Sequence, residues 1–363
     1  MSATNARGDK MNPADYSALD EALEIMAPMG PDLNNGFSNH APMAIEAMCS
    51  LGRGDAAIPW FERYRHWLAP RPPRVARLTH DNWREALGDV RRTEDWFEFF
   101  RNELEDGPWN EVLDKWAARL APGIISAATH GVIRAGHATR AIAIEDTRAR
   151  RRELADGLAY WAADYLSLPA DRHPAARSMP SHAIAQVQMI PLEKRLGNFG
   201  AFTDSLAKLD TFEPFKQTLD AVDTTGDPSA FLSDLTATFA RVFLANARDA
   251  YTTIAFVHAV TGPSSLRPML PYLSKETAHT GLAYAWQAAA AIYATFGTRA
   301  ELPRVDGVKT RDDEGLIARA IACGDEHAIK FTEVCVREFA LNPNPAFIAA
   351  AEHCIAMLSR RES

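Results

Sequence analysis

Several motifs that define large enzyme classes are missing from this chain of 363 residues. There is no Gly-x-Gly-x-x-Gly for a dinucleotide, no Gly-x-x-x-x-Gly-Lys-[Ser/Thr] for a nucleoside triphosphate, and no Gly-x-Ser-x-Gly for a serine hydrolase. His-Glu-x-x-His is also absent. The single Glu-x-x-His runs from Glu276 to His279, whereas a ferritin-like di-iron site needs two. No Rossmann, P-loop or di-iron chemistry is therefore indicated.

Excess positive charge and paired cysteines are missing too. The net charge is −8 and the isoelectric point is near 5.8, which argues against nucleic acid as the main partner. The four cysteines form no Cys-x-x-Cys pair, so we expect reduced thiols and neither a disulfide framework nor a zinc knuckle. They are Cys49, Cys323, Cys335 and Cys354. We therefore expect a cytoplasmic protein.

Long apolar runs are also scarce. The longest, residues 282–296, contains Gln287 and falls short of the roughly 20 residues that a membrane span needs. We interpret it as a buried core helix and expect no membrane contact. The first residues are polar and lack the apolar core of a secretion signal. We expect residues 1–13 to form a disordered tail.

Helical periodicity covers almost all of the remaining chain, and no segment shows the alternation of a strand. The predicted helices are 16–26, a segment from Ser38 or Asn39 to Gly52, 57–68, 79–87, 93–104, 110–120, 122–139, 148–166, 199–209, 212–221, 229–257, 266–273, 276–296, 313–323, a helix after Asp325, and 344–360. Residues 27–37 and 298–308 are predicted to be irregular, and 262–265 to interrupt the chain. We therefore predict one large all-α domain over residues 14–363, with a buried central site.

One helix start combines a histidine and a lysine on an inward face. Gly324 can end one helix and Asp325 can cap the next, which places His327 and Lys330 one turn apart. Lysine is rarely buried without a partner. A salt bridge to Glu326 or Glu333, or a side chain that extends to solvent, would explain it. The other explanation is a metal site that needs further ligands.

Four more histidines lie in apolar surroundings. His40 stands at a helix N-terminus, where the dipole favours the neutral ring that binds metals. His130 and His137 share one helix face with Arg134 between them, among small residues that suit either close helix packing or a ligand. His258 ends an apolar stretch and must find hydrogen-bond partners or a metal. For each of them, local packing explains the pattern as well as a site does.

Taken in order, four stretches resemble the questin oxidase family, also called AflY-like. They are Ser38-Asn39-His40-Ala41-Pro42-Met43, residues 130–138 (His-Gly-Val-Ile-Arg-Ala-Gly-His-Ala), Val257-His258-Ala259-Val260-Thr261, and Asp325-Glu326-His327-Ala328-Ile329-Lys330. The resemblance implies a mostly helical oxygenase without a flavin domain, acting on aromatic polyketides such as anthraquinones. Fungal members are associated with Baeyer–Villiger-type ring opening.

One type of member is similar to a mononuclear non-haem iron dioxygenase. By motif, the resemblance implies metal ligation by His40, His130, His258, His327 and a carboxylated Lys330. It also leaves Asn39, Arg134 and His137 as candidates for contacts around the ligands or with the substrate. The metal would be Fe(II), with zinc or manganese able to occupy the same donors, and O₂ would be the co-substrate. A carboxylated lysine suits this chain because no glutamate or aspartate is predicted beside the histidines on an inward face.

Other functions remain open from the sequence. The same family resemblance allows a metal-free, NADPH-dependent Baeyer–Villiger-type monooxygenase. A helical protein that binds a hydrophobic ligand without turnover belongs to a different class, and a metal-carbamate hydrolase is a weaker alternative. In the enzyme hypotheses the partner is a small aromatic molecule. The sequence does not indicate the oligomeric state.

Overall fold

Helices form nearly all the regular structure in the computed structural model, which describes residues 15–171, 177–195, 202–305 and 312–359. The predicted all-α class is therefore confirmed, while the predicted tail over 1–13 lies outside the described residues. The helices are α1 Ser17–Met26, α2 Ala41–Ser50, α3 Gly54–Tyr64, α4 Thr93–Asp106, α5 Trp109–Leu120, α6 His130–Ile144, α7 Arg148–Ala163, α8 Pro180–Ala183, α9 Phe202–Leu206, α10 Pro228–Asn246, α11 Ala250–Ser264, α12 Lys275–Phe296, α13 Asp313–Cys323, α14 Glu326–Leu341 and α15 Pro345–Leu358.

Side-chain caps determine where the C-terminal helices begin. Each helix from α10 to α15 starts after an N-cap side chain that accepts a hydrogen bond from a backbone N–H of the first turn. These caps are Asp227, Asp249, Ser274, Asp312, Asp325 and Asn344. Gly324 ends α13 with a φ of 75°, as predicted, so that α14 restarts directly behind it.

The single long helix predicted over 229–257 is wrong. The chain leaves the helix after Asn246, whose side-chain oxygen accepts hydrogen bonds from the backbone of Thr298 and Arg299. Asp249 and Thr252 then form a reciprocal capping box that starts α11. The predicted interruption at 262–265 coincides with the end of α11. Helix α11 continues to Ser264 and contains Pro263 in its last turn.

Several other predicted helices are shorter or tighter than expected. Residues 79–87 contain only the 3₁₀ turn Trp83–Ala86, and 266–273 only Leu270–Tyr272. Glu213–Ala221 is 3₁₀ throughout. The segment predicted as 199–209 is α9 followed by the 3₁₀ turn Ala207–Thr211, and its first three residues lie outside the described part. These short segments lack the length over which an α-helix stabilises itself.

Residues 27–37, predicted to be irregular, contain a strand. Met29–Leu33 (β1) pairs antiparallel with Leu68–Pro70 (β2) in a two-stranded sheet. Glycine and proline concealed this strand from the sequence pattern, and the short partner carries too few residues to show alternation. Within this sheet, β1 is the strand that leads along the chain into α2.

Two hydrophobic clusters make up the interior of the described part of the chain. The smaller contains residues of α1, α2 and α3 together with Ala141, Ala149 and Ile329. The larger includes residues from α4 to α7, α10 to α12, α14 and α15. Helix α2 packs against α6 and α14, and α11 packs against the same two helices. These four helices meet where the two clusters join.

The small residues of α6 serve close helix packing. A Cβ added at Gly131 would lie 2.5 Å from the backbone of Trp161, and one at Gly157 would lie 2.8 Å from the backbone of Ala135. An addition at Gly136 would collide with Ser265. Helix α12 is buried over most of its length, as predicted for a core helix. Among the described helices, none is long and apolar enough to cross a membrane.

Candidate metal centre

Four buried histidines, one directly before α2 and one each in α6, α11 and α14, converge at the junction of these four helices. One ring nitrogen from each of His40, His130, His258 and His327 lies within 4.8 Å of those of the other three. His40 directly precedes α2, His130 begins α6, His258 lies in the middle of α11, and His327 lies in the first turn of α14. Residues separated by most of the chain thus form one site.

The outward nitrogens of three of these rings have fixed partners. Nδ1 of His40 donates to the carbonyl of Ser38 at 2.6 Å, and Nδ1 of His258 donates to the carbonyl of Ile254 at 2.7 Å. Nδ1 of His130 donates to the carbonyl of Ala127 at 2.5 Å. A carbonyl can only accept, so each Nδ1 carries the proton and each Nε2 presents a lone pair.

The inward Nε2 atoms of the same three rings lie close together, and none of them carries a proton that could form a hydrogen bond between two rings. Nε2 of His130 lies 2.8 Å from Nε2 of His40 and 3.0 Å from Nε2 of His258. Lone pairs at these distances repel each other unless a cation lies between them. Burial, with a contribution from the positive charge of Lys330, holds the pKa of all three rings well below the ordinary value. A proton is therefore a poor candidate for that cation.

His327 is oriented by the carboxylate that caps its own helix. Nδ1 of His327 lies 3.1 Å from Oδ1 of Asp325, and Glu326 Oε1 lies 3.7 Å from the same nitrogen. Glu326 Oε1 also lies 3.8 Å from Nδ1 of His40. The sequence analysis predicted no carboxylate beside the histidines on an inward face, and both Asp325 and Glu326 are half-buried on the outer side of the rings. These carboxylates contact the Nδ1 side of the rings, a common arrangement behind metal-binding histidines.

Lys330 lies one turn after His327 and is 1% exposed. Its Nζ has no hydrogen-bond partner among the described residues, so neither the salt bridge to Glu326 or Glu333 nor an extension to solvent explains it. Burial lowers its pKa to about 8, against a smaller opposing effect of Glu326 and Asp325. A lysine in this state remains mostly charged at neutral pH but loses its proton far more readily than an ordinary lysine.

The segment before His130 is a left-handed turn and not the helix predicted from residue 122. Ala127, Ala128 and Thr129 have φ values of 48°, 53° and 71°. Residues other than glycine rarely adopt this conformation, and three in succession are unusual. The turn directs the carbonyl of Ala127 towards the ring of His130. No glycine or asparagine in the sequence signals it.

The other three candidates have partners outside the ring of nitrogens. Asn39 accepts from the backbone N–H of Ala41 and donates to Gly30, so it joins the start of α2 to β1. Arg134 forms a two-pronged ion pair with Glu153, at 2.6 and 2.8 Å. The side-chain hydrogen bonds of Asn39 and Arg134 described here therefore stabilise the fold around the site.

His137 belongs to a separate buried ionic cluster. Its Nδ1 lies 2.6 Å from Oε2 of Glu46, and Arg140 binds both Glu46 and Glu333. Burial opposes ionisation of both glutamates. The cations around them, chiefly Arg140, nevertheless hold the pKa of Glu46 far below its ordinary value and that of Glu333 at about 2. The sequence did not indicate Glu46, because a single glutamate in an apolar helix carries no motif.

The donor set suits a transition metal. Four imidazoles favour zinc, iron, copper or nickel. Two nitrogens bound at right angles to an ion, each at about 2.1 Å, lie about 3.0 Å apart, close to the Nε2 spacings found here. The buried, unpartnered Nζ of Lys330 lies one turn after His327 on the same helix. The residues therefore fit a metal ion.

Fold and site together define an all-α protein with a histidine-rich candidate metal centre. The chain belongs to the Questin oxidase-like family, which matches residues 37–335. Membership in this family indicates an oxidoreductase of the oxidase or oxygenase type. The matched residues include all four histidines and Lys330. A comparison with curated protein sequences gave no match.

Proposed function

We propose that the protein is a non-haem iron oxygenase that uses O₂ to oxidise an aromatic, quinone-like substrate. The observation that carries the proposal is the convergence of three unprotonated Nε2 atoms at 2.8 and 3.0 Å. Family membership supplies the oxidoreductase class. Iron bound by these nitrogens would supply a redox centre able to bind and activate O₂. Zinc or manganese would fit the same donors.

Lys330 provides the anionic ligand in this proposal. Its neutral amine attacks CO₂, an N–C bond forms, one C–O π pair moves to oxygen, and the amine proton leaves to solvent. The product is a carbamate with one negative charge. With a pKa of about 8, about a tenth of these lysines are neutral at pH 7 before the metal binds. A carbamate also replaces an unpartnered cation with an anion beside the histidines.

The other residues hold the site in its binding form. Carbonyl acceptors on Nδ1 keep three imidazoles in the tautomer that directs a lone pair inward. Burial excludes water from the four rings and strengthens every charge interaction among them. The aromatic substrate is proposed from the family resemblance, since an electron-rich ring reacts readily with activated oxygen.

Metal analysis after anaerobic Fe(II) loading in bicarbonate buffer tests the proposal. The wild type should retain one iron per chain, and Lys330→Ala and His258→Ala should lose most of it. The matched controls Lys275→Ala and His182→Ala change exposed residues and should load like the wild type. With ¹³C-bicarbonate, a carbamate signal should appear in the wild type and be absent from Lys330→Ala. A wild type without stoichiometric metal would contradict the iron site.

Two alternatives predict different results in the same preparations. A metal-free monooxygenase would consume NADPH with a hydroxyanthraquinone, and chelators would not affect it. A binding protein would hold the quinone without O₂ uptake, even after loss of His327 and Lys330. The proposed oxygenase should consume O₂ only when loaded with iron, and Lys330→Ala should abolish that uptake.

A further inference from the structure

The two carbonyls that orient His40 and His130 are held by two side chains at the C-terminal end of α7. Tyr160 lies in the last turn of that helix, and Asp164 follows its end. These residues are four apart, so their side chains lie on one face. Each is linked to the backbone that accepts the Nδ1 proton of one histidine. Neither residue belongs to the four motifs that carry the family resemblance.

Tyr160 supports the His40 side of the site. Its buried hydroxyl donates to Oδ1 of Asp32 at 3.1 Å. The tyrosine has one proton, so the hydroxyl of Ser38, 2.7 Å away, donates to the tyrosine oxygen. Ser38 is the residue whose carbonyl accepts from Nδ1 of His40 at 2.6 Å. The tyrosine thus fixes the short segment between β1 and α2 that orients this ring.

Asp164 supports the His130 side. Its Oδ1 accepts from the backbone N–H of Ala127 at 2.8 Å. The carbonyl of Ala127 accepts in turn from Nδ1 of His130 at 2.5 Å. Ala127 and Ala128 are left-handed, a conformation that alanine does not hold without external support. The hydrogen bond from Ala127 to Asp164 provides such support.

We propose that Tyr160 and Asp164 are positioning residues that set the orientation and tautomer of His40 and His130 for metal binding. The inference rests on the proposed metal site and deepens it. Loss of either side chain should free a carbonyl acceptor, let the ring rotate, and weaken metal binding while the fold persists. Residues that orient metal-binding histidines typically contribute 10- to 100-fold to affinity.

Co(II) titration of metal-free protein tests this inference, with the dissociation constant and the visible absorption of bound Co(II) as readouts. Asp164→Ala should weaken Co(II) binding by about 10- to 100-fold, and Tyr160→Phe by about tenfold. Asp164→Asn keeps an acceptor oxygen for the N–H of Ala127 and should bind within about threefold of the wild type. The matched control Tyr293→Phe removes a buried hydroxyl that bonds the backbone of Arg299, and it should change neither readout.

The outcomes separate three cases. If Asp164→Ala and Tyr160→Phe bind Co(II) within twofold of the wild type, with an unchanged spectrum, the positioning role is wrong. If Asp164→Ala does not fold, Tyr160→Phe alone is judged by the same twofold criterion. A wild type that does not bind Co(II) contradicts the metal site itself, whatever the variants do.

Discussion

Lys330 is buried beside neutral imidazoles, and its amine has no hydrogen-bond acceptor among the described residues. Taking a charged ammonium out of water without a partner is costly, and the lowering of its pKa from 10.5 to about 8 reflects that cost. Each pKa unit corresponds to about 1.4 kcal/mol. The metal-free, uncarboxylated protein is therefore destabilised at this position.

Lys330→Met should stabilise the metal-free protein while it abolishes metal binding. Methionine keeps an unbranched apolar chain and removes the charge, so we expect a gain of about 3 kcal/mol in the free energy of unfolding at pH 7. Between the folded pKa of about 8 and the unfolded value of 10.5, the unfolded wild type binds more protons. Wild-type stability therefore rises with pH in this window, and the gain from methionine should shrink towards zero.

Urea denaturation from pH 7 to 10, with chelator and without bicarbonate, measures both effects. Lys275→Met is the matched control at an exposed position and should change stability by less than about 0.5 kcal/mol. A destabilised Lys330→Met at pH 7 would show that the amine has a partner in solution. A gain that stays constant up to pH 10 would contradict the lowered pKa.

Much of the candidate site was predictable residue by residue. His40, His130, His258 and His327 stand out because each lies in an apolar or helix-start context and in an ordered family motif. Their tautomers were not predictable, because they depend on carbonyls that the fold brings to each ring. Asp325 was predicted as a helix cap, but its contact with Nδ1 of His327 is a second role that capping patterns do not show.

At the scale of elements, the left-handed turn before α6 carries backbone strain. Each non-glycine residue in this conformation costs roughly 1–2 kcal/mol. Ala127, Ala128 and Thr129 all adopt it, with φ values of 48°, 53° and 71°. The side chain of Thr129 packs against Gly262, where an added Cβ would lie 3.0 Å from it. Contacts to α11 and Asp164 therefore maintain a turn that its own sequence disfavours.

Ala128→Gly should relieve part of this strain. Removal of the Cβ gains about 1–2 kcal/mol in the left-handed region. The greater freedom of glycine in the unfolded chain costs about 0.5–1 kcal/mol. We expect an unfolding free energy that is unchanged or higher by up to about 1 kcal/mol in thermal or urea denaturation.

The exposed helical alanine Ala318, in α13, gives the matched control. Ala318→Gly should cost about 1 kcal/mol, because helical alanine has no strain to lose. Equal destabilisation by the two substitutions would show that the turn is not left-handed in solution.

The break between α10 and α11 shows why element boundaries were harder to predict than elements. Apolar periodicity continues through 229–257, and no glycine or proline interrupts it. The break depends on Asn246, whose side chain binds a loop about 50 residues away in sequence. Asn246 and Asp249 favour caps and turns by residue type, but without that partner the sequence does not place a helix break between them.

At the scale of the whole molecule, the candidate metal centre joins the two hydrophobic clusters. The N-terminal cluster of α1, α2 and α3 supplies His40, and the helices α6, α11 and α14 supply the other three histidines. Buried ion pairs cross the same boundary, since Arg140 on α6 binds Glu46 on α2 and Glu333 on α14. A metal ion would add a strong cross-link between parts of the chain that are distant in sequence.

Metal binding should therefore protect α1, α2 and α3 from opening. In the metal-free protein we expect their amides to exchange with solvent faster than those of α10 to α12, because their own cluster is small. Zinc at 100 times its dissociation constant stabilises the bound state by about 2.7 kcal/mol, which slows exchange through that opening about 100-fold. Hydrogen–deuterium exchange with and without zinc measures the change helix by helix. His40→Gln should lose the protection of α1 to α3, and His182→Gln, at an exposed position, should keep it. Slower exchange only beside the four histidines would mean that the metal does not couple the two clusters.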